Sequence, residues 1–273
     1  MAVKIKVVSD FKENFPSCIS NGILHNDHPN KANVMAFIEA VNSLGYSCSY
    51  FGGINQLIHL YQEHLPVDHE NIYINLGAGL SQPYMPLQAP VLCDLIGLKY
   101  SDSPPFTVAL MRNKFFSKEA VKTLNYSVPD GQLLDRHTDK KKAISMIREY
   151  PVIIKPNCEG SSVGIADDNV VFSENDLQTK VYDLSKEFEE LLVEQYIPGT
   201  DITVLILGNP SHYEMVEALV YKTGGSFNQI KAIRSLSNKA SHGSERFPME
   251  FYYPMDIVQR VKAESIHIFE HFP

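Results

Sequence analysis

The amino-acid sequence predicts an α/β N-terminal lobe followed by a second region of mixed helices and strands, and three observations carry that prediction. Between residues 4 and 76, strand-like and helix-like periodicities alternate in the order β-α-β. A proline pair at Pro104 and Pro105 then interrupts the pattern. Beyond it, Val152, Ile153 and Ile154 form a β-branched run ending at Lys155, and Leu191 to Val204 reads as a strand, a short turn and a second strand.

Taken in order, Lys4 to Val8 alternates as the first strand. Val34, Phe37, Ile38, Val41 and Leu44 mark one face of a helix that Gly45 stops. Tyr46 to Phe51 and Asn71 to Leu76 supply two more strands, ahead of a turn at Gly77, Ala78 and Gly79. The proline pair closes this first domain, residues 1–104. Helices are expected over 114–124 and 138–149. A further helix opens at Ser173 with Asp176 in its acidic first turn, and the second segment covers 105–190. The third, 191–273, holds strands 201–208 and 213–222, a polar loop over 223–249 and a helix over 255–270. No internal repeat or low-complexity segment interrupts the chain.

The stretch from Pro151 to Ile165 carries the most chemistry. Lys155 sits at the end of an apolar strand, Pro156 stops the ladder, and Gly160 and Gly164 permit the backbone angles of a loop. Ser161 and Ser162 place hydroxyl donors beside the loop amides, so N–H and O–H groups can cover a polyphosphate while Lys155 supplies a point charge. A P-loop puts its lysine after the glycines at a helix start; here the lysine comes first.

Composition bounds the rest. The 273 residues are 44% apolar, enough for a core and two or three subdomains. Net charge is −8 with no dense basic block, which argues against a nucleic-acid partner. Cys18, Cys48, Cys93 and Cys158 are scattered, without metal-ligand or disulfide-framework spacing, and read as reduced thiols. No signal-peptide pattern opens the chain, and no apolar run approaches the roughly 18 residues of a membrane span. The expectation is a cytoplasmic protein with no membrane partner.

The Lys155 loop and the Leu191–Val204 segment together resemble the ATP-grasp fold, and more narrowly the D-alanine:D-alanine ligase family. The resemblance implies an α/β N-terminal lobe followed by an α+β ATP-grasp fold of two subdomains, the last incomplete, with ATP between them. Lys155 then meets the nucleotide phosphates, and Glu159 to Gly164 form the lid over them. Ser162 touches phosphate, while Ser161 stands near the substrate amino group in a hydrogen-bonded chain. Glu194 faces the adenine amine, and the backbone of Gln195, Tyr196 and Ile197 meets the ring edge. Asp201 stands where the family usually has a ribose-binding glutamate. Upstream, Leu110 to Lys118 resembles the segment that opens the ATP-grasp region. It makes Lys114 a second phosphate-facing lysine and Asn113 an N-cap in place of the usual aspartate. Within loop 223–249, Lys239 is the candidate for a catalytic lysine, with Lys231 and Arg234 as rivals.

The implied reaction joins two small amino acids through an acyl phosphate, with ATP and Mg2+ as cofactors, and suggests cell-wall (peptidoglycan) dipeptide synthesis. The implied partners are ATP and the amino acids, with a homodimer left open. Three departures qualify the resemblance. The family's N-terminal glutamate for the first substrate's ammonium has no clear match, with Glu13 as a stand-in. The turn at Leu76 to Pro83 lacks the family's carboxylates. The family's Arg-x-Asp and Glu-x-Asn strands, which hold magnesium, are expected beyond residue 273, so no residue here is assigned to metal. The alternative is a catalytically silent or fragmentary nucleotide-binding protein.

Overall fold

A computed structural model describes residues 3–15, 28–80, 84–222 and 245–273. The chain divides into two compact units, Met1–Arg112 and Asn113–Pro273. The first is built on a parallel sheet. Its strands β1 (Lys4–Val8), β2 (Ser47–Gly52), β3 (Asn71–Asn75) and β4 (Lys99–Tyr100) lie in the order β2-β1-β3-β4. Because successive side chains of a strand point to opposite faces, Val7 and Val8 enter different cores. Val7 joins Phe11, Val34, Ile38 and Cys48, the last three spanning helix α1 (Lys31–Ser43) and β2. Val8 joins Ile54 and Leu57 of α2 (Ile54–Gln62) and Ala89 and Cys93 of α3 (Met85–Ile96). A parallel sheet covered on both faces is the arrangement that β-α-β crossovers impose.

The helix over residues 34–44 and all three expected strands are present. Helices α2, α3 and α4 (Pro105–Arg112) add to them. Pro105 opens α4 because a first helical position needs no N–H donor, so the proline pair begins a helix and the first unit runs on to Arg112.

The second unit starts with α5 (Lys114–Lys122), capped by Asn113, whose Oδ1 accepts the Phe116 amide at 2.9 Å. Strands β5 (Gly131–Leu134), β6 (Val152–Pro156), β7 (Val170–Val171) and β8 (Leu191–Gln195) form an antiparallel sheet in the order β5-β8-β6-β7. The segment beginning at residue 191 therefore starts inside the sheet that carries the Lys155 loop. Helix α6 (Lys140–Ser145) is shorter than the expected 138–149, and Pro151 disfavours helical backbone at the residue before it. Helix α7 (Glu174–Leu184) opens as expected: Ser173 Oγ accepts the Asp176 amide and donates to its carboxylate at 2.7 Å. Leu177 and Val181 of α7, with Leu134, Ile154, Leu191 and Val193 of the strands, are buried.

A second antiparallel sheet of β9 (Ile202–Asn209), β10 (His212–Lys222) and β11 (Glu245–Pro248) follows, in the order β11-β10-β9. Helix α8 (Met255–His271) buries Val258 against Ala218, Val220 and Met249.

Candidate functional site

Pairing register decides which side chains meet on the β5-β8-β6-β7 sheet. Ile153 lies opposite Glu194, Lys155 opposite Leu192, and Gly131 opposite Glu194. Directly opposed residues share a face, and so do residues two apart. Lys155 and Glu194 therefore project on the same side. Lys155 Nζ donates to Glu194 Oε1 at 2.6 Å, and Lys118, one turn into α5, donates to Oε2. Glu194 is only 6% exposed, against 20% and 27% for the two lysines. Burial pushes its carboxyl pKa up, yet the Lys155 charge and the hydrogen bonds from both lysines outweigh that, and the net direction is downward. Gly131 leaves room for this carboxylate, since a Cβ there would stand 2.8 Å from Glu194 Cβ.

Lys114 holds a different position. Its Nζ donates to the carbonyls of Pro156 at 2.8 Å and Glu159 at 2.5 Å, and its amide donates to the Asn157 carbonyl at 3.1 Å. It secures the base of the small-residue loop. Asn157, completely buried, joins the same junction: its Oδ1 accepts the Phe115 amide and its Nδ2 donates to Glu190 at 2.7 Å. Cys158 Sγ lies 3.6 to 3.7 Å from Asn157, Asn113 and Glu190, a small buried filler of this junction.

The loop itself is a run of turns. Ser161, Ser162 and Gly164 have φ of 51°, 64° and 70°, and the Val163 and Ile165 amides close back on Gly160 and Ser162. Glycine is required at 164, because a Cβ would meet Pro156 Cγ at 2.5 Å and the Phe188 ring at 2.9 Å. Buried Asn169 fastens the far side, donating to the carbonyls of Ile154 at 2.7 Å and Gly164 at 2.8 Å and accepting the Ala166 amide at 2.9 Å.

At the hinge, the Gln195 amide donates to Asp130 and the Tyr196 amide to Pro151, at 2.8 and 3.0 Å. Those two donors extend the sheet and are engaged within it. Asp201 is exposed at the start of β9, close enough that its charge adds to burial in raising the Tyr196 pKa. The structure thus brings Lys155 and Glu194 together on one sheet face, with Lys114 at the base of the loop that follows β6 and Asp201 just before β9. Lys239, Lys231 and Arg234 lie outside the described residues. Lys118, Asn157 and Asn169 are additions that sequence reasoning missed; a helix-surface lysine and two isolated asparagines have no local signature.

Glu13, the stand-in, is engaged in structure: both its carboxylate oxygens accept the Lys31 amide at the start of α1. Among the described residues no group of three or more His, Cys, Asp or Glu side chains is placed to hold a metal ion. No described helix is long and apolar enough to cross a membrane.

Comparison with solved structures defines the class. The chain aligns over 99% of its length with the D-alanine–D-alanine ligase of Bacillus anthracis complexed with ATP, covering 78% of that chain at a TM-score of 0.65 and 15% identity. It aligns over its whole length with VanG D-Ala:D-Ser ligase of Enterococcus faecalis, covering 83% of that chain at 0.65 and 14%. The fold is therefore an α/β lobe followed by an ATP-grasp fold. In sequence, a D-alanine–D-alanine ligase of Wolbachia pipientis subsp. Culex pipiens (strain wPip) is 32% identical over 118 residues. That match takes in 43% of this chain and 36% of the relative, so the chain spans about a third of the length of such curated relatives. The family model for the D-ala D-ala ligase C-terminus matches residues 117–270, more than half the chain, and the chain belongs to that family.

Proposed function

We propose that this chain binds ATP in the ATP-grasp region and serves an ATP-dependent ligase that joins two small amino acids, as the names of its relatives suggest. The observation that carries the reading is the Lys118–Glu194–Lys155 cluster on one sheet face beside the Lys114-anchored loop, all but Lys114 within the family-matching segment. Two lysines around one carboxylate leave an excess positive charge. Triphosphate oxygens carry more charge than a single carboxylate, so Lys155 exchanges Glu194 for phosphate when nucleotide enters. Glu194, kept ionised by Lys118, then accepts from the adenine amine.

In the reaction, a carboxylate oxygen of the first amino acid attacks the terminal phosphorus, the bond to the bridging oxygen breaks, and ADP leaves. The amine nitrogen of the second amino acid attacks the acyl carbon of the resulting acyl phosphate. Phosphate departs, and the nitrogen gives up a proton to it or to solvent. In this scheme Ser161 stands at the substrate amino group, Ser162 and Glu159 belong to the lid, and Lys239 reaches the terminal phosphate. The chain's contribution is positioning and charge stabilisation. The described residues supply no oxygen-ligand set that fits Mg2+, so no step here is assigned to the metal.

Free buried thiols at Cys48, Cys93 and Cys158 fit a reducing cytoplasmic setting. The test is amino-acid-dependent ADP release by the protein encoded in full, with D-alanine tried first. The reading expects release only with amino acid present and its loss in Lys155→Ala. ADP release indifferent to amino acids would overturn the ligase assignment.

A further inference from the structure

Helix α8 ends in a pair of histidines that the nucleotide reading does not use. His267 and His271 are four residues apart, so they stand on one face of the helix in successive turns. Both are exposed, and their ring centres lie 4.5 Å apart with the planes at 61°.

The hydrogen bonds of the two rings decide which nitrogens remain open. His271 Nδ1 donates to the His267 carbonyl at 2.8 Å; a carbonyl only accepts, so the proton sits on Nδ1. In the neutral ring Nε2 then carries the lone pair. His267 Nδ1 lies 2.9 Å from the hydroxyl of Tyr126, in the stretch between α5 and β5, and the tyrosine ring meets the imidazole edge-on at 5.7 Å between centres. With Nδ1 donating to that hydroxyl, His267 presents Nε2 in the same way. Neither Nε2 has a hydrogen-bond partner among the described residues. An Nδ1–H held by an oxygen, with Nε2 open, is how metal-ligating histidines are oriented.

Ring spacing narrows the ion. A metal–nitrogen bond of about 2.0 to 2.1 Å puts the centre of an imidazole about 3.2 Å from the metal, so rings at adjacent corners of a square have centres about 4.5 Å apart, and rings at a tetrahedral angle about 5.2 Å. The observed 4.5 Å fits the square. Square-planar and tetragonal nitrogen sites suit Cu2+ and Ni2+, and Cu2+ binds the more tightly. Charge does not oppose an ion here. The other cations of α8 are paired, Arg260 with Glu264 and Lys262 with Glu217, and Lys122 of α5 is paired with Glu119. The carbonyl end of a helix adds partial negative charge. We propose that His267 and His271 chelate one Cu2+ or Ni2+ ion through their Nε2 atoms, with Tyr126 holding the His267 ring. No third His, Cys, Asp or Glu joins them among the described residues, so water completes the coordination.

The test titrates the 273-residue chain with CuCl2 and, separately, MgCl2. No nucleotide is present, so the outcome is independent of the ligase reading. Calorimetry should show a Cu2+ equivalent that is lost in His267→Gln and in His271→Gln and kept in His69→Gln, an exposed position of the first unit. Glutamine is a good helix former and both sites are exposed, so these variants should fold as the parent does, which far-ultraviolet circular dichroism checks. Electron paramagnetic resonance should show Cu2+ coupled to two imidazole nitrogens in the parent, and bound Cu2+ should broaden the Tyr126 ring signals in NMR. Retention of the equivalent in either His267→Gln or His271→Gln, a spectrum without two-nitrogen coupling, unbroadened Tyr126 signals, or displacement of Cu2+ by Mg2+ would overturn the proposal.

Discussion

Replacing Glu194 by alanine strips the counter-charge from two lysines at once. The carboxylate is 6% exposed and accepts from Lys118 and Lys155, which are 20% and 27% exposed. Removing one partner of a fully buried pair costs about 3 to 5 kcal/mol because a charge is left uncompensated. Here the lysines retain access to water and can turn outward, which lowers the expected loss to about 2 to 3 kcal/mol. For a unit of this size that corresponds to a fall in Tm of roughly 4 to 12 °C. Glu194→Gln keeps the volume and one acceptor and should lose about half as much. The pH dependence follows from the downward shift of the Glu194 pKa. Its stabilising contribution is present above the ordinary glutamate range and is lost as pH falls through the lower folded-state value. Thermal melts followed by circular dichroism should therefore show wild type and Glu194→Gln converging as the solution is acidified. A Glu194→Ala variant that melts with wild type at neutral pH would refute the view that the cluster is held together by this carboxylate.

Two further outcomes are expected from the same geometry. Gly131→Ala should destabilise the sheet by about 1 to 3 kcal/mol, because its Cβ would press on Glu194 Cβ at 2.8 Å and on the Val193 carbonyl at 2.9 Å; an unchanged denaturant midpoint would contradict this. Asn169→Ala removes two donors and an acceptor from the Lys155 loop. Faster hydrogen exchange at Val163, Ile165 and Ala166, with little change in β5 and β8, is the expected signature, and exchange unchanged at all three would contradict it.

Much of the second unit was legible because its signals are local. The apolar run into Lys155, the loop glycines, Ser173 with Asp176, and Asn113 before α5 each declare themselves within a few residues. What escaped is set by register and tertiary contact. Lys118 reads as a solvated helix lysine until β8 is seen beside β6 and β5. Glu190 accepts from buried Asn157, a contact that no local pattern announces. Helix α3 is hidden by Pro86 near its start and Pro90 inside it, which argue against helix in a local reading. Helix α2 does carry an apolar face, Ile54, Leu57 and Ile58, but it is short and follows directly on a strand.

The central claim is that Lys155 meets phosphate while Glu194 meets the base. Calorimetry of ATP and adenosine binding to the Lys155→Ala and Glu194→Ala variants tests it most directly. A charge-assisted contact is worth about 1.5 to 3 kcal/mol, or roughly ten- to a hundredfold in affinity. Lys155→Ala should lose that factor for ATP and keep adenosine affinity, whereas Glu194→Ala should weaken both. Equal losses for ATP and adenosine in Lys155→Ala would contradict the phosphate role.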